Sequence, residues 1–274
     1  MEFGFLFWLF LGGIIVASMQ DLKRREVDNW LNLLLLVSGM VFVFFGAVLN
    51  RDSEAVFHFG FLLIVMFFVM NLFYYGRVFA GGDAKLLVSM TAFFMAGSFF
   101  GSLVNVGVFL FFLMLSGSVY GLGYSLVLYS ANREKVNREM RWIVKKLGLK
   151  VLLIVAVFLM LLGFVDLIFL ILGLLSILFF GLYVFAKGLE NVSMVREVLG
   201  KELREGDWLV EDIKVGKRVV KADWDGLSLE DVRLLGKNKK VLIKEGLPFV
   251  PAFLIAFLGY GFLRDWFVGF LFFA

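Results

Sequence analysis

Long apolar stretches, separated by short charged segments, constrain this chain more than any other feature. Residues 30–49, 55–75 and 103–129 contain no Asp, Glu, Lys or Arg, and each is long enough for an α-helix to cross a bilayer. Over the whole chain 61% of residues are hydrophobic and 18% are charged, whereas a soluble domain has about a quarter charged. The sequence therefore predicts an all-α polytopic membrane protein.

The apolar runs predict about eight transmembrane helices. They comprise residues 3–19, 30–49, 55–75, 84–98, 103–129, a hairpin of two spans within 151–186, and 247–263. The hairpin is expected because a single helix over 151–186 would be about 54 Å long, against a hydrocarbon core of about 30 Å. Its turn is expected near Asp166.

Lys and Arg concentrate in three of the segments between spans, residues 22–29, 131–150 and 187–246. By the positive-inside rule these segments share the cytoplasmic side, with Met1 and Ala274 outside. This pattern explains the basic residues as signals for membrane orientation, so no nucleic-acid partner is expected.

Two aspartates stand where apolar helices meet one edge of the predicted membrane. Asp21 ends the first run, on the same helical stripe as Gly13 and Ala17, and small residues at that spacing let a partner helix approach closely. Asp83 follows two glycines and begins the fourth run. The predicted topology places both carboxylates at the cytoplasmic edge at similar depth. Ionisable groups next to hydrocarbon are costly and mark functional sites.

Two carboxylates held close together share one proton, because both cannot ionise without strong repulsion. The charged member can take a proton from water while the protonated member polarises a carbonyl, which is the chemistry of an aspartic protease. The small residues Ala80, Gly81 and Gly82 complete the motif, since they let a peptide backbone approach. Asp83 lies near a helix N-terminus, which favours it as the charged member and Asp21 as the acid.

The sequence has few residues that could support other catalytic chemistries. Cysteine is absent and His58 is the single histidine, so there is no thiolate nucleophile and no Cys- or His-rich metal site. His58 lies near the end of the third span that is remote from the aspartates, and we interpret it as structural. No cofactor and no metal ion are expected.

The expected domain organisation follows from these segments. Residues 1–186 form a transmembrane catalytic bundle, 187–246 a small α+β cytoplasmic insert, and 247–274 the last transmembrane helix with an interfacial tail. Within the insert, Ser228 is expected to cap a short helix. Residues 217–222 and 240–244 are expected to form strands.

Three stretches of the chain resemble the archaeal preflagellin and prepilin peptidases, membrane aspartic proteases of the GxGD class. They are residues 21–30 (DLKRREVDNW), 81–85 (GGDAK) and 244–252 (KEGLPFVPA). Two positions depart from the family pattern: Ala80 replaces the first glycine of GxGD, and Asp28 stands where proline is common. The family core usually has six spans, so the hairpin in 151–186 is an extra element.

The resemblance implies a function and a location. The catalytic pair would be Asp21 and Asp83, and the substrates would be preflagellins or type IV prepilin-like proteins. Their short basic leader would be removed at the cytoplasmic face of the plasma membrane, in which the protein is a multi-pass component of the bilayer.

Three other readings of the two aspartates remain open at this point. They could form a proton or cation site in a transporter, which is typically built near the bilayer midplane. They could belong to an intramembrane protease of the presenilin or signal-peptide-peptidase type, although the Pro-Ala-Leu motif of that group is missing: Pro248 is followed by Phe249. A non-catalytic assembly subunit would not need either aspartate.

Overall fold

The computed structural model describes residues 4–76, 78–146, 150–216, 218–223, 226–236 and 239–273. The helices are α1 (Phe5–Arg24), α2 (Asn29–Asn50), α3 (Ser53–Tyr75), α4 (Gly81–Ser89), α5 (Phe99–Lys146), α6 (Lys150–Leu162), α7 (Leu167–Ser193), α8 (Leu229–Leu235) and α9 (Val250–Phe273), with a 3₁₀-helix at Thr91–Phe94. The strands are β1 (Val195–Leu199), β2 (Trp208–Leu209), β3 (Ile213–Val215), β4 (Arg218–Val220) and β5 (Lys240–Lys244).

Within these described residues, six helices are long and apolar enough to cross a membrane: α1, α2, α3, α5, α7 and α9. The predicted fold class is therefore confirmed: the protein is a polytopic helical membrane protein with a small strand-containing insert. The chain divides into two compact units. The first, called the bundle, is Met1–Leu122 with Leu247–Ala274, and the second, called the hairpin–sheet unit, is Gly123–Gly246.

Two of the eight predicted spans are short in the structure. The fourth, predicted over 84–98, is the nine-residue helix α4 followed by the 3₁₀-helix. The hydroxyl of Ser89 donates to the carbonyl of Leu86, and that of Thr91 to the carbonyl of Val88, both at 2.6 Å. Such side-chain bonds compete with the helical ladder and explain why α4 ends there. The other short span is α6, with 13 residues.

Two predicted helix ends lie further along the chain than expected. Residues 131–150 were predicted to be a loop, but α5 continues to Lys146 and bends at Asn132, whose φ of −126° and ψ of 25° are not helical. The residues 133–146, called the arm below, are helical because they present an apolar face that packs on α7. At the C-terminus α9 continues to Phe273, past the predicted end of the span at Leu263, and Ala274 lies outside the described residues.

Arg264 is the reason that α9 can continue past its charged residues. Its guanidinium donates to Oδ1 of Asn105 on α5 from Nε at 3.0 Å and from Nη2 at 2.7 Å. The remaining Nη1 pairs with Asp265 at 2.7 Å. The guanidinium of Arg264 is therefore hydrogen-bonded where α9 packs on α5, so a charged residue at this position does not have to end the helix.

The bundle is held together by close helix contacts and a large aromatic core. A methyl group added at Gly13 on α1 would overlap the side chain of Leu35 on α2, and one at Gly39 would lie 2.8 Å from Ala92. The core includes Phe94, Phe109 and other rings that are almost fully buried. The stripe that carries Asp21 thus faces the packed interior, as predicted.

The hairpin–sheet unit combines the antiparallel pair α6–α7 with two small sheets. Asp166 caps α7 by accepting a hydrogen bond from the backbone of Ile168 at 2.9 Å, so the turn lies where it was predicted. The larger sheet is antiparallel with the order β1-β5-β2, and β3 pairs with β4. Ser228 and Asp231 form a capping box on α8, which confirms the predicted short helix. The strand predicted over 217–222 is β4, except that Lys217 lies outside the described residues.

Candidate active site

Asp21 lies in the last turn of α1 and is buried, with 5% of its surface exposed. The helix ends just after it, because Arg25 adopts the left-handed conformation with φ 56° and donates its N–H to the carbonyl of Asp21 at 2.8 Å. Asp21 lies on the same buried face of α1 as Gly13 and Ala17. Its burial follows from the same pattern that makes α1 pack closely.

The partner of Asp21 is the beginning of the last helix. The backbone N–H of Val250 donates to Oδ2 of Asp21 at 2.9 Å, a contact between residues 229 positions apart in the chain. Val250 is the first residue of α9, whose N-terminal N–H groups lack partners within the helix and carry partial positive charge. The hydroxyl of Ser18 approaches the carbonyl of Val250 at 3.4 Å. Asp21 therefore caps α9 while belonging to α1.

Asp83 lies at the third position of α4 and is also buried, with 7% exposed. Its Oδ2 accepts a hydrogen bond from the N–H of Ala80, the N-cap residue, at 3.3 Å. Ala80 is in an extended conformation with φ −71°, which any residue with a side chain can adopt. The departure from GxGD at this position therefore needs no change in backbone.

The two glycines of the motif are half-buried and have room for a side chain. A methyl group at Gly82 would lie 3.4 Å from the backbone N of Val27, in the loop between α1 and α2, and one at Gly81 would lie 3.8 Å from the ring of Tyr74. Both are ordinary van der Waals distances, so packing in this conformation does not by itself require glycine at either position.

The same start of α9 also holds the segment that precedes Asp83. The ring of Phe79 lies 5.6 Å from the ring of Phe249 and 4.8 Å from that of Phe73, measured between centroids. On the other side, Phe249 fills the space over Gly117 of α5. The hydroxyl of Ser116 donates to the carbonyl of Ala252 at 2.9 Å. The residues before α9 thus connect the two predicted motifs.

The two carboxylates are close enough to repel each other electrostatically. They come from the end of α1 and the beginning of α4, and both lie among apolar side chains of the bundle. Desolvation and mutual repulsion make it costly to ionise both at once. Both predicted residues are therefore buried at helix ends of one bundle, and proton sharing between them stays a prediction.

The nearby lysine does not neutralise this pair. Lys85 donates to Oδ1 of Asn29 at 2.8 Å and is exposed. Arg24 pairs with Asp28 at 2.7 Å, and the indole of Trp30 donates to the same carboxylate at 3.1 Å. Asp28, which stands where the family often has proline, thus fixes the α1–α2 loop through hydrogen bonds.

His58 is remote from the pair, as predicted, and has structural contacts. Its Nε2 lies 2.9 Å from the hydroxyl of Ser102, and its ring stacks on Phe99 at 5.1 Å. Both partners are on α5. Among the described residues, no group of three or more His, Cys, Asp or Glu is placed to hold a metal ion.

The sequence analysis did not identify one buried polar residue of the bundle, Asn32. Asn32 on α2 is 5% exposed, and neither its Oδ1 nor its Nδ2 has a partner in the part of the chain that the structure describes. One turn before it, Asn29 contacts α4, and one turn after it, Leu35 contacts α1. Asn32 therefore lies on the face of α2 that is directed at the helices carrying the two aspartates. The available signal was a lone amide within an apolar run.

The part of the chain that contains both aspartates is similar to known proteins. The sequence profile of the type IV leader peptidase family matches residues 8–126, which include both aspartates. A preflagellin peptidase of Methanococcus maripaludis (strain C6 / ATCC BAA-1332) is 28% identical over 80 residues, 29% of this chain and 34% of that protein. The match thus spans about a third of the length of that relative. No solved structure matches the chain. The resemblance to leader peptidases that the motifs predict is confirmed by the profile and this relative.

Proposed function

We propose that the protein is a membrane-embedded aspartic endopeptidase that removes the leader peptide from preflagellin or type IV prepilin-like substrates. The observation that carries this proposal is the pair of buried carboxylates, Asp21 at the end of α1 and Asp83 at the start of α4, within the stretch that matches the leader peptidase profile. The similar preflagellin peptidase supports the substrate class. The basic segments of the chain support a site at the cytoplasmic face of the plasma membrane.

The chemistry needs one charged and one protonated carboxyl group. The charged group takes a proton from the attacking water as its oxygen bonds to the scissile carbonyl carbon. The protonated group donates to the carbonyl oxygen, and the tetrahedral intermediate forms. Its collapse breaks the C–N bond: the leaving amine receives the proton held by the first carboxyl group, and the second carboxylate takes back a proton from a hydroxyl of the intermediate as the product carboxyl group forms. This returns the pair to a state with one proton.

Hydrogen bonding favours Asp21 as the charged member of the pair. It accepts from the N-terminal amide of α9 at 2.9 Å, while Asp83 accepts from the N–H of its own N-cap at the longer distance of 3.3 Å. A carboxylate is stabilised by such N–H donors and by the positive end of a helix. This assignment is the reverse of the sequence-based one, which considered only the helix that carries Asp83.

The experiment is a cleavage assay with the purified full-length protein in detergent and a prepilin-like substrate. Asp21→Asn and Asp83→Asn keep the shape of each side chain and remove its ionisable group. Each should abolish cleavage, and the double variant should be no worse than either, because residues of one catalytic unit are not additive. The matched control is Asp52→Asn, an exposed N-cap of α3 that should leave the rate unchanged.

Mass spectrometry of the products separates this proposal from the other protease class. A leader peptidase produces a single new N-terminus just before the hydrophobic helix of the substrate. An intramembrane protease of the presenilin type would cut inside that helix. Substantial cleavage by either single variant would show that the aspartates are not the catalytic pair.

A further inference from the structure

A basic helix in the hairpin–sheet unit forms a surface whose chemistry the proposed protease does not use. The arm, residues 133–146, carries six basic and two acidic side chains. It follows the bend of α5 at Asn132 and is exposed over most of its length. The arm and α7 belong to the same compact unit, which does not contain the two aspartates.

One face of the arm packs on the last turns of α7. Val136, Met140 and Ile143 are buried or half-buried and recur at helical spacing. A methyl group at Gly188 would lie 2.7 Å from Cγ of Met140, and Val184 is buried together with Ile143. Increasing residue number on the arm thus corresponds to decreasing number on α7. The arm runs antiparallel to the end of α7.

This packing places the arm at a membrane interface. Helix α7 begins at Leu167, and its first charged residue is Lys187. A hydrocarbon core of about 30 Å corresponds to about 20 helical residues, so the helix leaves the core close to residue 186. The arm contacts α7 at Val184 and Gly188, on either side of this level.

The opposite face of the arm is cationic. Arg138, Arg141 and Lys145 recur at helical spacing with Trp142, and all four are exposed. No ion pair or hydrogen bond joins the three cations to the part of the chain that the structure describes. Trp142 is 51% exposed, and tryptophan prefers the headgroup level of a bilayer.

A groove of ≈ 920 Å³ runs beside this cationic face. It is lined by Arg138, Arg141 and Lys145 on one part, and by apolar side chains that include Met140 and Val144 on another. Neighbouring cations of the unit are engaged elsewhere. Lys187 and Lys244 both pair with Glu190, and Arg218 pairs with Glu230. The groove thus offers unpaired positive charge next to apolar surface at an interface.

We infer that this groove binds the headgroup of an anionic phospholipid. The phosphate meets the cations of the arm, and the upper part of an acyl chain lies along the apolar side. Clustered Lys and Arg directly beside a transmembrane helix attract anionic lipids in this way. The bound lipid would hold the arm against the membrane surface and so stabilise the extra hairpin.

Lipid binding to the purified full-length protein tests this inference. Native mass spectrometry in detergent, with titration by phosphatidylglycerol or phosphatidylcholine, measures the affinity for each lipid. The Arg138→Gln/Arg141→Gln variant should bind phosphatidylglycerol roughly 10–30-fold more weakly, since each basic residue near an anionic surface contributes about fivefold. Phosphatidylcholine should bind weakly to both proteins.

The matched control is Lys201→Gln/Lys221→Gln, which removes the same charge from exposed side chains of the same unit that do not line the groove. It should retain the affinity of the unaltered protein within about threefold. Equal weakening in this control would show attraction by net charge without a site, and would overturn the inference. Equal affinity for the two lipids, or full displacement of the lipid by free glycerol 3-phosphate, would also overturn it. Arg138→Lys/Arg141→Lys should bind well, which excludes misfolding as the cause of a loss.

Discussion

Removal of the Asp21 carboxylate should separate its role in the fold from its role in catalysis. The N–H of Val250 donates to Oδ2 of Asp21 in a buried setting. Asp21→Ala leaves this donor without a partner, and an unsatisfied buried group costs about 1–3 kcal/mol. Asp21→Asn keeps an acceptor oxygen at the same place and relieves the repulsion with Asp83. Its free energy of unfolding should therefore be unchanged or slightly higher.

Thermal unfolding of the purified protein in detergent measures the difference. For a protein of this size 1 kcal/mol corresponds to roughly 2–4 °C, so the Tm of Asp21→Ala should fall by roughly 2–12 °C. The Tm of Asp21→Asn should stay at or above that of the unaltered protein. Both variants should lack peptidase activity, because neither can accept the proton of water.

Asp166→Ala provides the matched control for the loss of a helix cap. It removes the exposed N-cap of α7, where water can satisfy the freed N–H. Its cost should be at the lower end of the usual range, about 0.5–1 kcal/mol, and cleavage should persist. An Asp21→Asn variant as unstable as Asp21→Ala would refute the reasoning, since the hydrogen bond to α9 could not then be the source of the stability.

Asn32→Leu removes two buried polar atoms that have no partners among the described residues, so the Tm should rise. A role of this amide in substrate binding would also lower cleavage at least about tenfold. A lower Tm would show that the amide of Asn32 does have hydrogen-bond partners. The cleavage rate should fall at both low and high pH, because Asp21 and Asp83 must together hold one proton; a rate unchanged down to about pH 3 in folded protein would exclude the pair. Cysteines introduced at Ser53 and Ser228 should react with impermeant reagents from opposite sides of the membrane, and labelling from the same side would contradict the predicted orientation.

Local sequence patterns were sufficient for the fold class and for the inward-facing side of α1. Apolar length specifies a membrane helix because the bilayer has a defined thickness. A stripe of small residues such as Gly13 and Ala17 specifies which face of α1 packs inward, and Asp21 lies on that face. The capping box of Ser228 is also local, since all its atoms belong to one turn of helix.

Helix ends were predicted less well where a partner distant in the sequence determines them. Arg264 suggested the end of a span, but its guanidinium is satisfied by Asn105 on another helix, and α9 continues. The arm suggested a loop because of its many charges. Its apolar residues, Val136 among them, become informative only once α7 is seen to pack against them.

The sequence by itself determined that this chain is built of membrane helices and that two carboxylates lie at helix ends, because length, charge and spacing are local properties. Only the tertiary structure decided that Asp21 caps α9 and that Phe249, the residue just before α9, packs on the segment before Asp83. The physical reason is the range of the interactions. The N–H of Val250 can donate to any buried oxygen that reaches it, and close packing between helices far apart in the chain decides that this oxygen belongs to Asp21.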